Sequence, residues 1–396
     1  MKSVEVIVDP LFEKGIKNGN PLVHKDALLD VSRLEEGQII DVKNKANQFL
    51  GRGYFGIQNK GIGWILTSDP YTEINQQFFE SKLQAAMKKR SVLEEEVETT
   101  AYRLFNGEGD GIGGFTIDRF NEYLLIQWYS KGIYTFKEMI IKAIQNSMSF
   151  AAIYEKKRFD QKGSYVEDDD FVTGTRGEFP IIIKENGINY SVDLNDGAMV
   201  GIFLDQREVR KTIRDKYAKG KDVLNTFSYT GAFSVAAAMG GSKSTTSVDL
   251  ANRSRAKTTE NFQLNSIDLE AQKIIVEDVF HYFKYAVKKK LSFDMVILDP
   301  PSFARSKKHT FRAAKDYASL LKEAIAITKT NGIIVASTNC STFDMKKFKS
   351  FIFDAFNKQA NNYDLIEEFQ LPTDFRSLKN LKESNYLKVV FLRKRK

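Results

Sequence analysis

Residues 222–239 read DVLNTFSYTGAFSVAAAM, and this stretch decides the fold of the C-terminal half. A short apolar strand runs into a loop that ends at Gly231, and a helix of small residues follows. This order of strand, tight loop and helix is typical of the first unit of a doubly wound parallel sheet. Such a loop lets a ligand approach the backbone, and the helix N-terminus offers free N–H groups. We therefore expect a nucleotide-type site at this loop.

The alternation of apolar strands and helices continues through the rest of the C-terminal half. The strands that the pattern predicts are Asp222–Leu224, Ser244–Asp249, Lys273–Val276, Met295–Leu298 and Ile333–Ser337. In doubly wound sheets the ligand lies outside the carboxyl ends of the strands, near the point where the strand order reverses. The residues that follow these strands are therefore the candidate site: Asp249, Glu277-Asp278-Val279, Asp299-Pro300-Pro301-Ser302-Phe303 and Asn339-Cys340-Ser341.

The first loop argues against a dinucleotide cofactor. A dinucleotide fingerprint needs three glycines, because pyrophosphate demands close approach to the backbone, and this loop has only Gly231. Asp249 is placed to bind the hydroxyls of a ribose, and a carboxylate of Glu277 or Asp278 could accept from an adenine amino group. A single aspartate at the end of a strand could instead cap the N-terminus of the following helix and bind no ligand. The pattern favours a nucleoside cofactor that lacks pyrophosphate.

The N-terminal half has a different organisation. From Val4 to Ser68, short apolar runs alternate with turn residues and predict a small β-rich domain. From Glu73 to Glu98 helical periodicity begins, with apolar residues at Phe78, Phe79, Leu83, Met87 and Val92. Residues 161–177 are expected to form an exposed loop before a hairpin at 179–194. We predict domains at 1–72, 73–187 and 188–396, the second of them α+β in character.

Charge and composition limit the function classes. Residues 1–72 carry no net charge, residues 73–187 carry −4, and residues 188–396 carry +12. A solvated basic surface accounts for each basic cluster taken alone, and a polyanionic partner is the better interpretation only where other features also indicate one. No apolar run approaches the length of a membrane span, and the N-terminus lacks a signal-peptide pattern, so we expect a cytoplasmic protein. One cysteine excludes an internal disulfide framework and a zinc site built from cysteine pairs. The basic clusters are Arg305, Lys307 and Lys308; Lys346 and Lys347; and residues 393–396.

Four motifs carry a family resemblance: VLNTFSYTGAFSVAAAMGG, TSVD, FDMVILDPPSF and STNCSTF. They resemble the motifs of class I S-adenosylmethionine-dependent methyltransferases. These motifs and the segment GIFLDQREVR at 201–210 are similar, more narrowly, to those of the bacterial family that makes 5-methylcytosine in 23S ribosomal RNA. The match spans about Gly201 to Phe343.

The resemblance implies a multidomain α/β protein with three parts. These are a small N-terminal β-rich PUA-like domain, a central α+β domain and a C-terminal Rossmann-like methyltransferase domain. It also implies S-adenosylmethionine as cofactor and RNA, 23S rRNA in particular, as partner, without a membrane partner. The oligomeric state is left open, a homodimer included.

The resemblance further implies roles for individual residues. Cys340 would be the nucleophile, and Asp299 would hold the edge of the target base. The implied cofactor contacts are Phe203, Gln206, Arg207, Asn225, Phe227, Ser228, Gly231, Asp249, Asp278, Val279, Asp299 and Pro300. The implied substrate contacts are Pro301, Ser302, Phe303 and Arg305, the last of which could also favour the thiolate form of Cys340.

Alternative functions remain open at this level. A related family methylates N7 of a guanine in the same rRNA and lacks a cysteine after the fifth strand, so Cys340 discriminates between the two. The wider RNA cytosine methyltransferases carry a second cysteine where Ser302 stands, which leaves the base for product release unassigned. A small-molecule methyltransferase and a noncatalytic RNA-binding protein with this fold are the remaining candidates.

Overall fold

The computed structural model describes residues 3–59, 61–159, 169–305, 310–359 and 362–395. They form two compact units. The first comprises Met1–Pro180, Asp193–Val200 and Thr373–Ser384, and the second comprises Ile181–Val192, Gly201–Pro372 and Asn385–Lys396. The three-domain division at 72/73 and 187/188 stays a prediction. Lys307, Lys308 and Lys396 of the basic clusters, and residues 161–168 of the predicted loop, lie outside the described residues.

The first unit contains two five-stranded sheets. Their strand orders are β1-β3-β4-β5-β2 and β10-β9-β8-β7-β6. The β-rich N-terminal region and the α+β region that follows it were both predicted, and the end of the predicted exposed loop forms strand β10. The elements in chain order are β1 (Val4–Ile7), α1 (Pro10–Lys17), β2 (Leu22–His24), β3 (Ile39–Lys43), β4 (Phe49–Gln58), β5 (Gly61–Thr67), α2 (Gln76–Lys88), α3 (Ser91–Glu94), β6 (Ala101–Asn106), β7 (Phe115–Phe120), β8 (Tyr123–Trp128), α4 (Lys131–Tyr134), α5 (Lys137–Ser147), β9 (Ala152–Lys157) and β10 (Phe171–Gly174).

The helix predicted over Glu73–Glu98 is interrupted. Helix α2 begins after Asn75, whose side chain accepts from the backbone N–H of Phe78, and it ends at Lys88. Arg90 then turns inward and pairs with the buried Asp110, with 2.6 Å between Nη2 and Oδ2. Val92 is 79% exposed, so it does not continue the buried apolar face of α2 that the helical spacing indicated. A buried ion pair, invisible to hydrophobic periodicity, accompanies the break.

The second unit contains the predicted doubly wound sheet. Its elements in chain order are β11 (Ile181–Glu185), β12 (Ile188–Val192), α6 (Arg207–Thr212), β13 (Asp222–Thr226), α7 (Ala232–Met239), β14 (Ser244–Asp249), α8 (Arg253–Gln263), β15 (Gln272–Val276), α9 (Val279–Lys288), β16 (Phe293–Leu298), β17 (Phe303–Arg305), β18 (Thr310–Arg312), α10 (Ala313–Ile327), β19 (Thr328–Thr338), α11 (Met345–Ala355), β20 (Tyr363–Phe369) and β21 (Lys388–Lys394). A 3₁₀ turn at Leu204–Gln206 precedes α6, and a π-helical turn at Ile213–Tyr217 follows it.

The strand order of the large sheet is β15-β14-β13-β16-β19-β21-β20. The first five strands are parallel and correspond to the five predicted strands, whereas β21 is antiparallel to both of its neighbours. In each central strand, successive side chains pack into two different apolar clusters, one on each face of the sheet. Leu224 and Val223 of β13 are an example. The strand order reverses between β13 and β16, so the ends of these strands mark the expected ligand crevice.

The helices of the described residues fall short of the length and apolar content that a membrane-spanning segment requires.

Candidate active site

The loop after β13 is tightly wound. Phe227 and Tyr229 have positive φ angles of 55° and 52°, and Gly231 has a φ of 76°. The Ser228 N–H donates to the Val248 carbonyl at 3.1 Å, and the Gly231 N–H donates to the Ser228 carbonyl at 2.8 Å. A Cβ on Gly231 would lie 2.4 Å from Cγ2 of Thr258, so this position requires glycine. The loop is therefore folded back against β14, with its backbone conformation fixed.

Asp249 ends β14 and holds this loop in place. One carboxylate oxygen accepts from the Tyr229 N–H and the other from the Ala251 N–H, each at 2.9 Å. Because a carboxylate oxygen can accept more than one hydrogen bond, these contacts leave capacity for a ligand hydroxyl. Binding of a ribose by Asp249 stays a prediction.

The end of β15 is connected to Asp249 through the backbone. The Glu277 N–H donates to the Asp249 carbonyl at 2.9 Å. Asp278 caps α9, where its Oδ1 accepts from the N–H groups of Phe280 and His281 at 2.9 and 3.3 Å. Val279 is buried in the apolar cluster beside the sheet. Capping and packing thus account for Asp278 and Val279 without a ligand, and their cofactor contacts stay predictions.

Asp299 follows β16 and contacts the segment upstream of β13. Nε2 of Gln206 donates to Oδ1 of Asp299 at 3.1 Å and to Oγ of Ser337 at 2.8 Å. Burial raises the pKa of Asp299 to about 6, and the nearby carboxylate of Asp205 adds to the effect, while hydrogen bonds from Ser337 and Gln206 act in the opposite direction. Gln206 therefore joins the ends of β16 and β19.

Two buried side-chain oxygens at this edge of the sheet have no hydrogen-bond partner among the described residues. They are Oε1 of Gln206, a residue that is 3% exposed, and Oδ1 of Asn225. The amide nitrogen of Asn225 donates to Oγ of Ser234 at 3.0 Å. An unpaired buried acceptor costs on the order of 1–3 kcal/mol, so donors on a ligand would be stabilised here.

The segment that carries Gln206 is anchored by an ion pair that the sequence did not indicate. Arg210 pairs with the buried Glu185 through two hydrogen bonds of 2.6 and 2.7 Å, and it donates to the Phe203 carbonyl at 2.7 Å. The Phe203 ring lies 5.6 Å from the ring of Tyr229. Arg207 is buried and pairs with Glu208, with 3.3 Å between Nε and Oε1. The structure thus brings Phe203 to the first loop. The anchoring role of Arg210 could not be identified from sequence, because its partner Glu185 lies 25 residues away.

The loop after β19 carries Cys340. Its thiol is free, the residue is 6% exposed, and Sγ lies 3.2 Å from Oγ1 of Thr342. The Cys340 N–H donates to Oγ1 of Thr338 at 3.2 Å. The hydroxyl of Ser302 donates to Oδ1 of Asn339 at 2.6 Å. The proline corner and the cysteine loop are thus joined directly, as expected for neighbouring strand ends.

The remaining predicted substrate contacts lie beyond the proline corner. Pro300 is buried and Pro301 is exposed, so the backbone leaves the sheet at this point. Phe303 is 56% exposed and Arg305 is also exposed, and both belong to β17, which pairs with β18 as a hairpin. Contact of this hairpin with a substrate stays a prediction.

Comparison with known proteins agrees with this geometry. A family model described as S-adenosylmethionine-dependent methyltransferase matches residues 153–393, and one described as a PUA-like domain matches residues 6–68. YwbD of Bacillus subtilis, provisionally named a ribosomal RNA large subunit methyltransferase, is 63% identical over 383 residues, 96% of this chain and 97% of that protein. Ribosomal RNA large subunit methyltransferase I of Escherichia coli O139:H28 is 31% identical over 392 residues, 98% of each chain. The crystal structure of SMU.776, provisionally described as a methyltransferase and complexed with SAH, superposes with a TM-score of 0.92 at 40% identity, covering 98% of this chain and all of that one.

Proposed function

We propose that this chain, which belongs to the S-adenosylmethionine-dependent methyltransferase family, methylates carbon 5 of a cytosine in 23S ribosomal RNA. The names of YwbD and of methyltransferase I support ribosomal RNA of the large subunit as the substrate. One observation carries the choice of cytosine. It is the free thiol of Cys340 at the carboxyl end of β19, in a loop that a hydrogen bond joins to the proline corner.

S-adenosylmethionine is the cofactor, and the residues at the strand ends fit it. The cofactor supplies an electrophilic methyl group on a positively charged sulfur. It carries ammonium, hydroxyl and amino donors, and the site offers the unpaired oxygens of Gln206 and Asn225 together with the carboxylate of Asp249. The loop holds the single glycine Gly231 and so lacks the three-glycine fingerprint of a pyrophosphate site.

The proposed chemistry begins at Cys340. Carbon 5 of cytosine is too weak a nucleophile to take a methyl group unaided. The Cys340 thiolate donates an electron pair to C6, and the pair of the C5–C6 double bond makes C5 enamine-like and nucleophilic. The Asp299 carboxylate accepts from the amino group of the base and, once the adduct is protonated, from its N3–H. After methylation a base removes the C5 proton, the double bond reforms, and the thiolate leaves.

The target base must leave its stack before this reaction. Neither C5 nor C6 is open to covalent attack within a helix, so the nucleotide has to be unpaired or flipped. Phe303 and Arg305, exposed on the hairpin after the proline corner, are the residues proposed to receive it. The test of the function is incubation with labelled S-adenosylmethionine and unmodified rRNA. 5-methylcytidine is the expected product, and 7-methylguanosine would contradict the proposal.

Replacing Asp249 by alanine should weaken the binding of S-adenosylmethionine at least tenfold. The expected loss follows from a charge-assisted hydrogen bond worth roughly 1.5–3 kcal/mol and from release of the Tyr229 N–H. Asp268→Ala is the matched control, because Asp268 accepts from the Glu270 N–H at 2.9 Å with the same i to i+2 spacing that Asp249 has to Ala251. Calorimetry of both variants measures the effect. Unchanged affinity in folded Asp249→Ala would remove the ribose assignment.

RNA affinity should fall steeply with salt. Residues 188–396 carry 35 basic and 23 acidic side chains, a net charge of +12, so phosphate contacts should dominate binding. A plot of log affinity against log salt should have a slope of about −0.7 for each phosphate neutralised on single-stranded RNA. Affinity for S-adenosylmethionine, measured in the same buffers, provides the internal control. A flat dependence for RNA would favour a small-molecule substrate.

A further inference from the structure

The two threonines that flank Cys340 have different contacts. Thr338 lies two residues before Cys340, and its hydroxyl accepts from the Cys340 backbone N–H at 3.2 Å. Thr342 lies two residues after Cys340, and its Oγ1 is 3.2 Å from the sulfur. The first therefore fixes the backbone of the loop, whereas the second contacts the reacting atom. Thr342 is itself exposed, so its hydroxyl is not needed to fill the core.

We propose that Thr342 is a positioning residue for the nucleophile, whose hydroxyl donates a hydrogen bond to the Cys340 thiolate. The role rests on the proposed function, because it concerns the thiol that would attack C6. A thiolate has no proton and can only accept, so the hydroxyl must be the donor whenever the sulfur is ionised. With a neutral thiol, either group can donate. The contact thus stabilises the thiolate and orients its sulfur.

A hydroxyl is well suited to this position. The β-branched threonine side chain has few rotamers, so its Oγ1 is held in a defined direction. Once the sulfur bonds to carbon it becomes a weak acceptor, and the hydrogen bond loses most of its strength. Thr342 would therefore favour the ionised nucleophile over the covalent adduct, which also helps the thiolate to leave at the end of the reaction.

Other charged groups lie around the same loop. Asp299 follows the neighbouring strand β16, Lys388 faces Thr338 across the β19–β21 pairing, and Asp344 caps α11. The Lys388 ammonium donates to the Tyr386 carbonyl at 2.6 Å and lies 5.3 Å from the centre of the Phe343 ring. All of these groups are retained when Thr342 alone is changed, so a comparison of Thr342 variants isolates the hydroxyl.

The experiment uses the fact that Cys340 is the single cysteine of the chain. Alkylation by iodoacetamide therefore reports this thiol alone, and its rate is measured against pH in the full-length protein. For Thr342→Val the pH midpoint should rise by about one unit, as expected for the loss of a hydrogen bond to a charged group. Alkylation at pH 7 should slow by about threefold, because the thiolate fraction falls about tenfold while the remaining thiolate is more nucleophilic. Thr342→Ser keeps the hydroxyl and should retain the wild-type midpoint. Thr330→Val, an exposed position on β19, is the matched control and should leave the profile unchanged.

Methyl transfer to rRNA provides the second measurement. Thr342→Val should lose about threefold in kcat at pH 7, the same factor as in alkylation, and recover at higher pH, with unchanged binding of S-adenosylmethionine. A wild-type alkylation profile in Thr342→Val, or an equal shift in Thr342→Ser, would overturn the inference. So would a shifted alkylation profile with normal methyl transfer. Failure of the proposed function is distinguished by Cys340→Ala, which would then still methylate rRNA.

Discussion

Cys340→Ala is expected to abolish methyl transfer to rRNA while binding S-adenosylmethionine as the wild type does. Without the thiolate, C5 of cytosine is not activated, and loss of a covalent nucleophile costs about a thousandfold or more in rate. The thiol attacks the RNA base, so the cofactor loses no contact. Transfer of labelled methyl groups to unmodified rRNA measures the first effect, and calorimetry measures the second.

A mechanism-based trap gives an independent readout of the same residue. RNA with 5-fluorocytosine at the target should form a covalent adduct with the wild type, because fluorine cannot leave as a proton after methylation. Cys340→Ala should form none, and since the chain has no second cysteine, no other thiol can replace it. An alanine variant that stays active and yields 7-methylguanosine would show the nucleophile assignment to be wrong and would favour guanine as the target.

The parallel part of the sheet was predictable from the local sequence pattern. The five parallel strands were identified because they alternate regularly with helices, and four of them extend beyond the predicted limits. Strands β20 and β21 were missed. The chain between them passes through Thr373–Ser384, which belongs to the first unit, so they lack the regular alternation that marks a parallel sheet.

The site was predictable where chain order alone brings residues to one edge. Asp249 is the last residue of β14, and Asp299 and Cys340 follow β16 and β19. Parallel strands place these ends at one edge of the sheet. Contacts between distant segments were not predictable. Gln206 meets Asp299 across 93 residues, and no local pattern encodes that hydrogen bond. Thr342 could have been recognised, because it is a hydroxyl two residues from the cysteine in STNCSTF.

Asp299→Asn should lower methyl transfer by about a hundredfold or more, a loss typical for one electrostatic contact to a reacting group. The carboxylate form is the one proposed to accept from the amino group of the base. Since burial raises the pKa of Asp299 to about 6, wild-type activity should decline below pH 6. In the variant the acidic limb of the kcat/KM profile should become less steep by one proton, because only ionisation of the thiol then remains. An unchanged acidic limb in the variant would assign it to another group.

The same substitution should stabilise the fold at neutral pH. The pKa of Asp299 is about 6 in the folded chain and about 3.9 in the unfolded chain. The folded chain therefore binds the proton of this carboxyl group more tightly than the unfolded chain does. Protonated Asp299 therefore adds to the free energy of unfolding. This contribution is fully present below pH 4 and is lost as the pH rises through 6. Asparagine avoids that loss and can still accept from Gln206. Its free energy of unfolding should exceed the wild type by about 3 kcal/mol at pH 8, with no gain at pH 4.

Asp294→Asn, at the other end of β16, is the matched control with the opposite sign. Burial raises the pKa of Asp294, but the Asp222 N–H and the Lys329 ammonium, 2.9 Å away, lower it by more, so it lies below its ordinary value. Its ionised form therefore stabilises the fold, and its replacement should destabilise the chain at pH 8. The free energies of unfolding of both variants are measured by urea unfolding at pH 4 and pH 8. A loss of stability in Asp299→Asn at pH 8 would mean that hydrogen bonds to the carboxylate outweigh its burial, and that Asp299 is retained for the structure as much as for the reaction.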